Sequence, residues 1–195
     1  MKSTHTTSLH IAGKSLLCTS LMTIGTALIM GACSSNKLPL PKEYSQDTLP
    51  QSVMVPSGHK VALETRAAGV LDYECRATPA GPYAWVLMSP RANLLDLSGK
   101  DVIAYSGPPA TWTHIDGSRI VGNQVSVASN GEYNLPLQLS RAEPSPSAGA
   151  LQGVSFIQRI KTKGGVEKTK PCTTMNAAEK VTLPYQADYI FWRPV

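Results

Sequence analysis

The chain is 195 residues long, 42% hydrophobic, 16% charged and 6% aromatic, with 15 Gly and 15 Pro spread along it and a formal net charge of +5. These values exclude collagen, coiled coil and full-length disorder, and the length suits one domain plus a smaller segment at roughly 150 residues per domain. A multi-pass membrane protein is excluded as well, because the single long apolar stretch lies at the extreme N-terminus.

Residues 1–14 carry Lys2 and Lys14 and no acid, and residues 15–32 form an uncharged run rich in Leu, Ile and Met. A positive lead, an apolar stretch and small residues at its end make a secretory signal peptide. Its ending, Ile29-Met30-Gly31-Ala32-Cys33, resembles a bacterial lipobox, with Met30 where the usual pattern has Leu. The resemblance implies cleavage after residue 32 and lipidation of Cys33. Ser34, not Asp, follows the Cys, so inner-membrane retention is not signalled and an outer-membrane-anchored lipoprotein is implied. Its domain would face the periplasm or the cell surface. An uncleaved anchor helix and plain secretion after the same cut are the two alternatives. Without Lys2 and Lys14 the mature chain has 16 basic and 13 acidic residues, a charge of about +3 that gives no electrostatic footprint for nucleic acid.

Four cysteines are present: Cys18 in the leader, Cys33 at the lipidation position, and Cys75 and Cys172 in the rest of the chain. In an oxidising compartment the last two have one connectivity. Closing a loop of about 97 residues removes about 4–5 kcal/mol of unfolded-chain entropy on the loop model. Two free thiols or a metal site are the alternatives. There is no CxxC, and His59 and His114 show no ligand spacing with either Cys, so neither metal nor cofactor is expected.

Residues 33–51 read as a tether, because Pro39, Pro41 and Pro50 interrupt regular structure. A domain over 52–195 follows. Strand-like alternation recurs through it, first at 60–66 and then at 71–76, with Leu71, Tyr73 and Cys75 on one face and Asp72, Glu74 and Arg76 on the other. Tyr83, Trp85 and Leu87 repeat the pattern, and further strands are predicted at 101–105, 110–115, 118–121, 124–128, 133–139, 153–162 and 181–192. Asp116-Gly117 and Asn130-Gly131 are hairpin signals. Residues 94–97 and 175–180 suit single helical turns, and 141–149 suits a surface loop. Short strands with turns every 8–12 residues predict an all-β, single-domain antiparallel β-sandwich or barrel with one disulfide.

The motifs in order are Gly69-Val70-Leu71-Asp72-Tyr73-Glu74-Cys75, Trp85 with Pro90-Arg91-Ala92, Gly107-Pro108 with Trp112, and Asp116-Gly117-Ser118. Then come Ile157-Gln158-Arg159-Ile160-Lys161-Thr162-Lys163-Gly164-Gly165, Pro171-Cys172, and Pro184-Tyr185 with Ala187-Asp188-Tyr189-Ile190-Phe191-Trp192. Over roughly residues 52–193 this series resembles domain of unknown function family 3455 (DUF3455), exported proteins of bacteria and fungi. The resemblance implies that Cys75 and Cys172 are family positions, and it brings no established activity. Two departures stand out: Ile103-Ala104-Tyr105-Ser106 where the family commonly has a His, and Leu135-Pro136-Leu137 where an Ile-Pro-Trp run is common. The malate-dehydrogenase activity ascribed to some fungal members has no support here, since no GxGxxG follows a strand.

Chemistry candidates are few, and no catalytic residue is assigned. His114, Asp116 and Ser118 alternate along a strand-turn segment, where the turn chemistry of Asp-Gly explains them better than a triad. Arg159, Lys161, Lys163, Lys168 and Lys170 form a candidate anion-binding face for anionic glycan or lipid, against a plain solvated strand face. Trp85, Trp112 and Trp192 with Tyr73, Tyr83, Tyr105 and Tyr189 suit a core better than a sugar cleft. Asp188 is expected to make a structural pair, with Arg159 as the candidate partner, or else to cap a turn. The reading that results is an exported, lipid-anchored binding or envelope-structural module, with a hydrolase of dispersed site residues or a soluble glycan-binding or polyanion-binding domain as alternatives.

Overall fold

A computed structural model describes residues 44–144 and 148–195. The leader, Cys18, Cys33 and the tether up to residue 43 lie outside the described residues. The chain forms eight antiparallel strands: β1 (His59–Ala77), β2 (Tyr83–Leu95), β3 (Asp101–Ser106), β4 (Thr111–His114), β5 (Arg119–Ala128), β6 (Leu137–Ala142), β7 (Phe156–Gly164) and β8 (Lys180–Pro194). Each pairs with the next, and β8 closes on β1, giving an up-and-down barrel. Closure removes every unpaired strand edge.

Why these residues form a barrel is visible in their alternation. Along β8, Tyr185, Ala187, Tyr189 and Phe191 face the interior cluster, while Ile190 and Trp192 belong to a second cluster outside the wall. Across β1 and β2 the interior row continues with Ala67, Leu71, Ala92 and Leu94, and across β3 to β5 with Ile103, Tyr105, Trp112 and Ile120. Outward positions of β1 carry Glu64, Arg66, Asp72 and Glu74, so this part of the wall faces water and not the apolar band of a membrane barrel.

The long β1 joins the two runs expected at 60–66 and 71–76, because Ala67, Ala68 and Gly69 continue the alternation with small residues. A Cβ on Gly69 would stand 2.3 Å from the Arg91 carbonyl oxygen and 2.5 Å from the Ala92 Cβ. β1 and β2 therefore approach more closely here than any side chain permits. The runs expected at 118–121 and 124–128 likewise merge into β5, with a register shift at Gln124/Ser126.

Other expectations are corrected. Residues 94–97 are not a helical turn: Leu94 is fully buried in β2, paired with Ala67 and Ile103, and the chain turns only at Asp96. Of 175–180, a 3-10 turn covers Thr174–Asn176, capped by the Thr173 hydroxyl, and Lys180 already begins β8. Arg141 and Ala142 belong to β6 and not to a loop.

The end of the expected tether also differs. Residues 44–55 form a strap against the outside of β6 to β8, with Tyr44, Leu49, Val53 and Val55 packed on Leu137, Leu139, Phe156, Ile160, Ile190 and Trp192. Gln158 fixes it: its fully buried amide donates to the Val53 carbonyl (2.7 Å) and to the Gln46 side chain (2.9 Å) and accepts from Trp192 Nε1 (2.9 Å). Apart from a 3-10 turn over Gln51–Val53 that follows Pro50, the strap has no regular structure, and it gains order by covering apolar surface instead.

Up-and-down topology divides the loops between two ends. The chain termini and the β2–β3, β4–β5 and β6–β7 loops lie at one end, called proximal. The β1–β2, β3–β4, β5–β6 and β7–β8 loops lie at the other, called distal.

Candidate functional site

Cys75 and Cys172 form a disulfide with Cα atoms 5.4 Å apart. It pins the β7–β8 loop to the distal end of β1, and the Trp85 indole adds a bond to the Lys170 carbonyl (2.8 Å). Behind that loop, Tyr73 donates to the Gly165 carbonyl (2.7 Å). Gly165 has φ +83°, and a Cβ there would meet Leu135, Leu71 and Tyr185 at 2.9–3.1 Å. The residue must be glycine for the loop to lie this close against the barrel.

The proximal end is closed by Leu151 and Val154, which join the interior cluster. Asp116 latches their loop, accepting from the Ala150 backbone (2.7 Å) and from the Ser118 backbone (2.8 Å) and hydroxyl (2.6 Å). His114, Asp116 and Ser118 are thus brought together, but Ser118 is fully buried and bonded to the acid, not to the imidazole. A nucleophile must be bonded to the base, so this is a turn and a loop anchor. The Ser118 hydroxyl, the Ala150 N–H and the Ser118 N–H hold the Asp116 carboxyl well below the usual range.

Of the five basic residues of the candidate anion-binding face, Lys161 and Lys163 are brought to one depression, and the five do not form a single face. Lys161 sits at a register shift in β7 with φ 48°, so it leaves the alternation and pairs outside the barrel with Asp188 at 2.8 Å. Lys168 lies 3.7 Å from Glu132, and Lys170 pairs with Glu179. Lys161 and Lys163 line one shallow depression with Arg66, Gln186 and Asp188. Asp188 therefore does not pair with Arg159. The two side chains lie on opposite faces of the wall, since Arg159 is registered with Tyr189 and Asp188 with Ile160.

Arg159 points inward. Its guanidinium acts electrostatically on Tyr73, Tyr105, Tyr185 and Tyr189 and lies beside the Tyr189 hydroxyl. One Nη donates to the Pro136 carbonyl (3.1 Å). The buried Nε has no hydrogen-bond partner, and among the described residues no carboxylate pairs with the group.

Around it stands a nest of rings. Trp112 stacks on Tyr105 with centroids 4.9 Å apart, and Tyr189 meets Tyr105 at 5.6 Å and Trp112 at 5.9 Å. The Tyr185 and Tyr189 hydroxyls are 3.3 Å apart. Trp112 is 3% exposed, and its Nε1 is likewise without a partner. The ring fits because position 122 is glycine: a Cβ there would stand 2.8 Å from Trp112 Cζ3. Burial pushes Tyr185 up to about 12 and raises Tyr105 and Tyr189 well above the ordinary phenol value, while the Arg159 charge acts the other way. These hydroxyls are protonated donors at neutral pH.

Gln138 is registered opposite Arg159, and Gln124, registered with Ser140 nearer the proximal end, is joined to it through their amides at 3.2 Å. Gln124 is exposed in spite of its inward register. Trp112, Tyr105, Tyr189 and Trp192 are core residues as expected, the first three in the barrel interior and Trp192 in the second cluster beneath the strap. Among the described residues no group of three or more His, Cys, Asp or Glu could hold a metal ion.

The fold and the site define a closed eight-stranded meander barrel with a cationic, tyrosine-lined interior. The chain belongs to the family described as Protein of unknown function (DUF3455), whose model matches residues 56–193. No curated protein and no solved structure matches it.

Proposed function

We propose that the protein is an exported, lipid-anchored binding module, held at the membrane through Cys33, that takes a small ligand into the interior of its barrel. An eight-stranded barrel has an interior just wide enough for side chains or for one small ligand. The observation that carries the reading is the inward Arg159, which has an unpartnered Nε and no carboxylate in a nest where Trp112 Nε1 is also unpartnered. A buried polar atom without a partner costs stability, and a bound molecule that meets both donors would recover it. Against a polyanion-binding surface stand the ion pairs of Lys161, Lys168 and Lys170 with acids beside them.

Two measurements test this. The intact mass of the protein from its own cells should begin at Cys33 with acyl chains added, and a bare chain cut near residue 32 would remove the anchor from the proposal. A thermal-shift panel of small neutral and anionic molecules should contain compounds that stabilise the fold. A panel with none would remove the ligand.

A further inference from the structure

Every unsatisfied atom in the barrel nest is a donor. Arg159 Nε and Trp112 Nε1 have no partner, and neither group can accept a hydrogen bond. The Tyr105, Tyr185 and Tyr189 hydroxyls add protons that burial keeps in place. The charge is also one-sided: the guanidinium is cationic, and its bonding partners, the Pro136 carbonyl and the Tyr189 hydroxyl, are neutral. A guest must therefore bring acceptor oxygens and one negative charge.

The walls exclude a strongly hydrated guest. Trp112, Tyr105 and Tyr189 present ring faces and edges within 4.9–5.9 Å of one another. A free inorganic anion would give up its water for apolar carbon on most sides. A carboxylate on a small planar or short apolar body matches both parts, since its two oxygens suit the guanidinium fork and its body suits the rings.

We propose that Arg159, Trp112 and the tyrosines around them form a binding site for a small organic monocarboxylate, with Arg159 the charge anchor and Trp112 Nε1 a second donor. The inference rests on the ligand-binding reading above and names the ligand's class. Gln138 stands opposite Arg159 on β6 and adds a neutral amide beside it.

The test uses the full mature protein with benzoate and hexanoate as probes and benzamide as the neutral match to benzoate, read by calorimetry and thermal shift. Benzoate or hexanoate should bind and raise the melting temperature, with benzamide weaker by about tenfold or more. Arg159→Met keeps the aliphatic length and should abolish the response. Trp112→Phe keeps a ring and loses one donor, so it should weaken the carboxylate by about tenfold without changing the preference over the amide. If Arg159→Met does not fold, Trp112→Phe decides alone. Equal binding of benzoate and benzamide, or an undiminished response in the folded variants, would overturn the carboxylate assignment while leaving a ligand-binding barrel in place. Binding of none of the three probes overturns it too, and whether the broad panel then holds another stabilising compound shows whether the ligand-binding reading falls with it.

Discussion

Single residues decide how tightly the wall and the nest can close. Gly122 gives Trp112 its place, and Gly69 lets β1 and β2 touch. Gly69→Ala inserts a methyl group where backbone and Ala92 already stand, so it should lower stability by about 1–3 kcal/mol, read as an earlier urea midpoint. Gln158→Leu removes the amide that satisfies Trp192 Nε1 and the Val53 carbonyl. The buried atoms left behind cost about 1–3 kcal/mol each, and the loss should appear as freer exchange of the amides in residues 44–55. The sequence motif around Arg159 was easy to find and hard to orient. β7 carries apolar residues on both faces, Phe156 and Ile160 outward and Ile157 inward, because the strap covers its outside. Alternation alone then cannot say which face is the interior. Counting by twos also joins Arg159 to Lys161 and Lys163, but the positive φ of Lys161 shifts the register between them.

Among the elements, the strands were legible wherever one face met water, as at Leu71, Tyr73 and Cys75 against Asp72, Glu74 and Arg76. What stayed hidden was their joining, since runs of small residues such as Ala67 to Gly69 look like a break. The strap was hidden for a different reason: its order comes from tertiary burial and a single amide, which no local pattern announces. The β7–β8 loop depends on the Cys75–Cys172 bridge across 97 residues of sequence. Replacing both cysteines with Ala should cost about 2–5 kcal/mol, measured as a lower denaturation midpoint. The variant should also become open to proteolysis within residues 165–179, the segment the bridge holds. Its proximal counterpart, the β6–β7 loop, hangs instead on Asp116, so Asp116→Ala should expose the 148–155 segment to proteases while the distal loop stays protected.

For the whole molecule, titration limits stability at both extremes of pH. Tyr44 and Tyr185 are raised to about 12, mainly by burial, and Tyr73, Tyr105 and Tyr189 are raised as well. A phenol with a folded pKa above its unfolded value of about 10 contributes stability that is full below pH 10 and lost as pH rises through its folded value. Alkaline unfolding near pH 10–12 should accompany a cooperative rise in phenolate absorbance. A gradual rise at pH 10 with the fold intact would contradict the burial. At the other extreme, Asp72 is lowered to about 2, first by the Thr182 hydroxyl, then by Ser89 and Arg91, and Asp116 is lower still. Their contribution is present above about pH 4 and fades as pH falls through the folded values, so melting temperature should decline only well into acid.

The strap has a mechanical consequence. Tension applied through the chain ahead of Tyr44 does not reach β1 directly. It meets first the Tyr44–Trp192 ring contact, with centroids 5.6 Å apart, and the Gln46 and Val53 bonds to Gln158, all on the outer wall of β7 and β8. These contacts act as a fuse. A modest pull would peel residues 44–55 away and lengthen the connection by up to about 40 Å at 3.3–3.6 Å per residue, before any strand of the closed barrel bears the load.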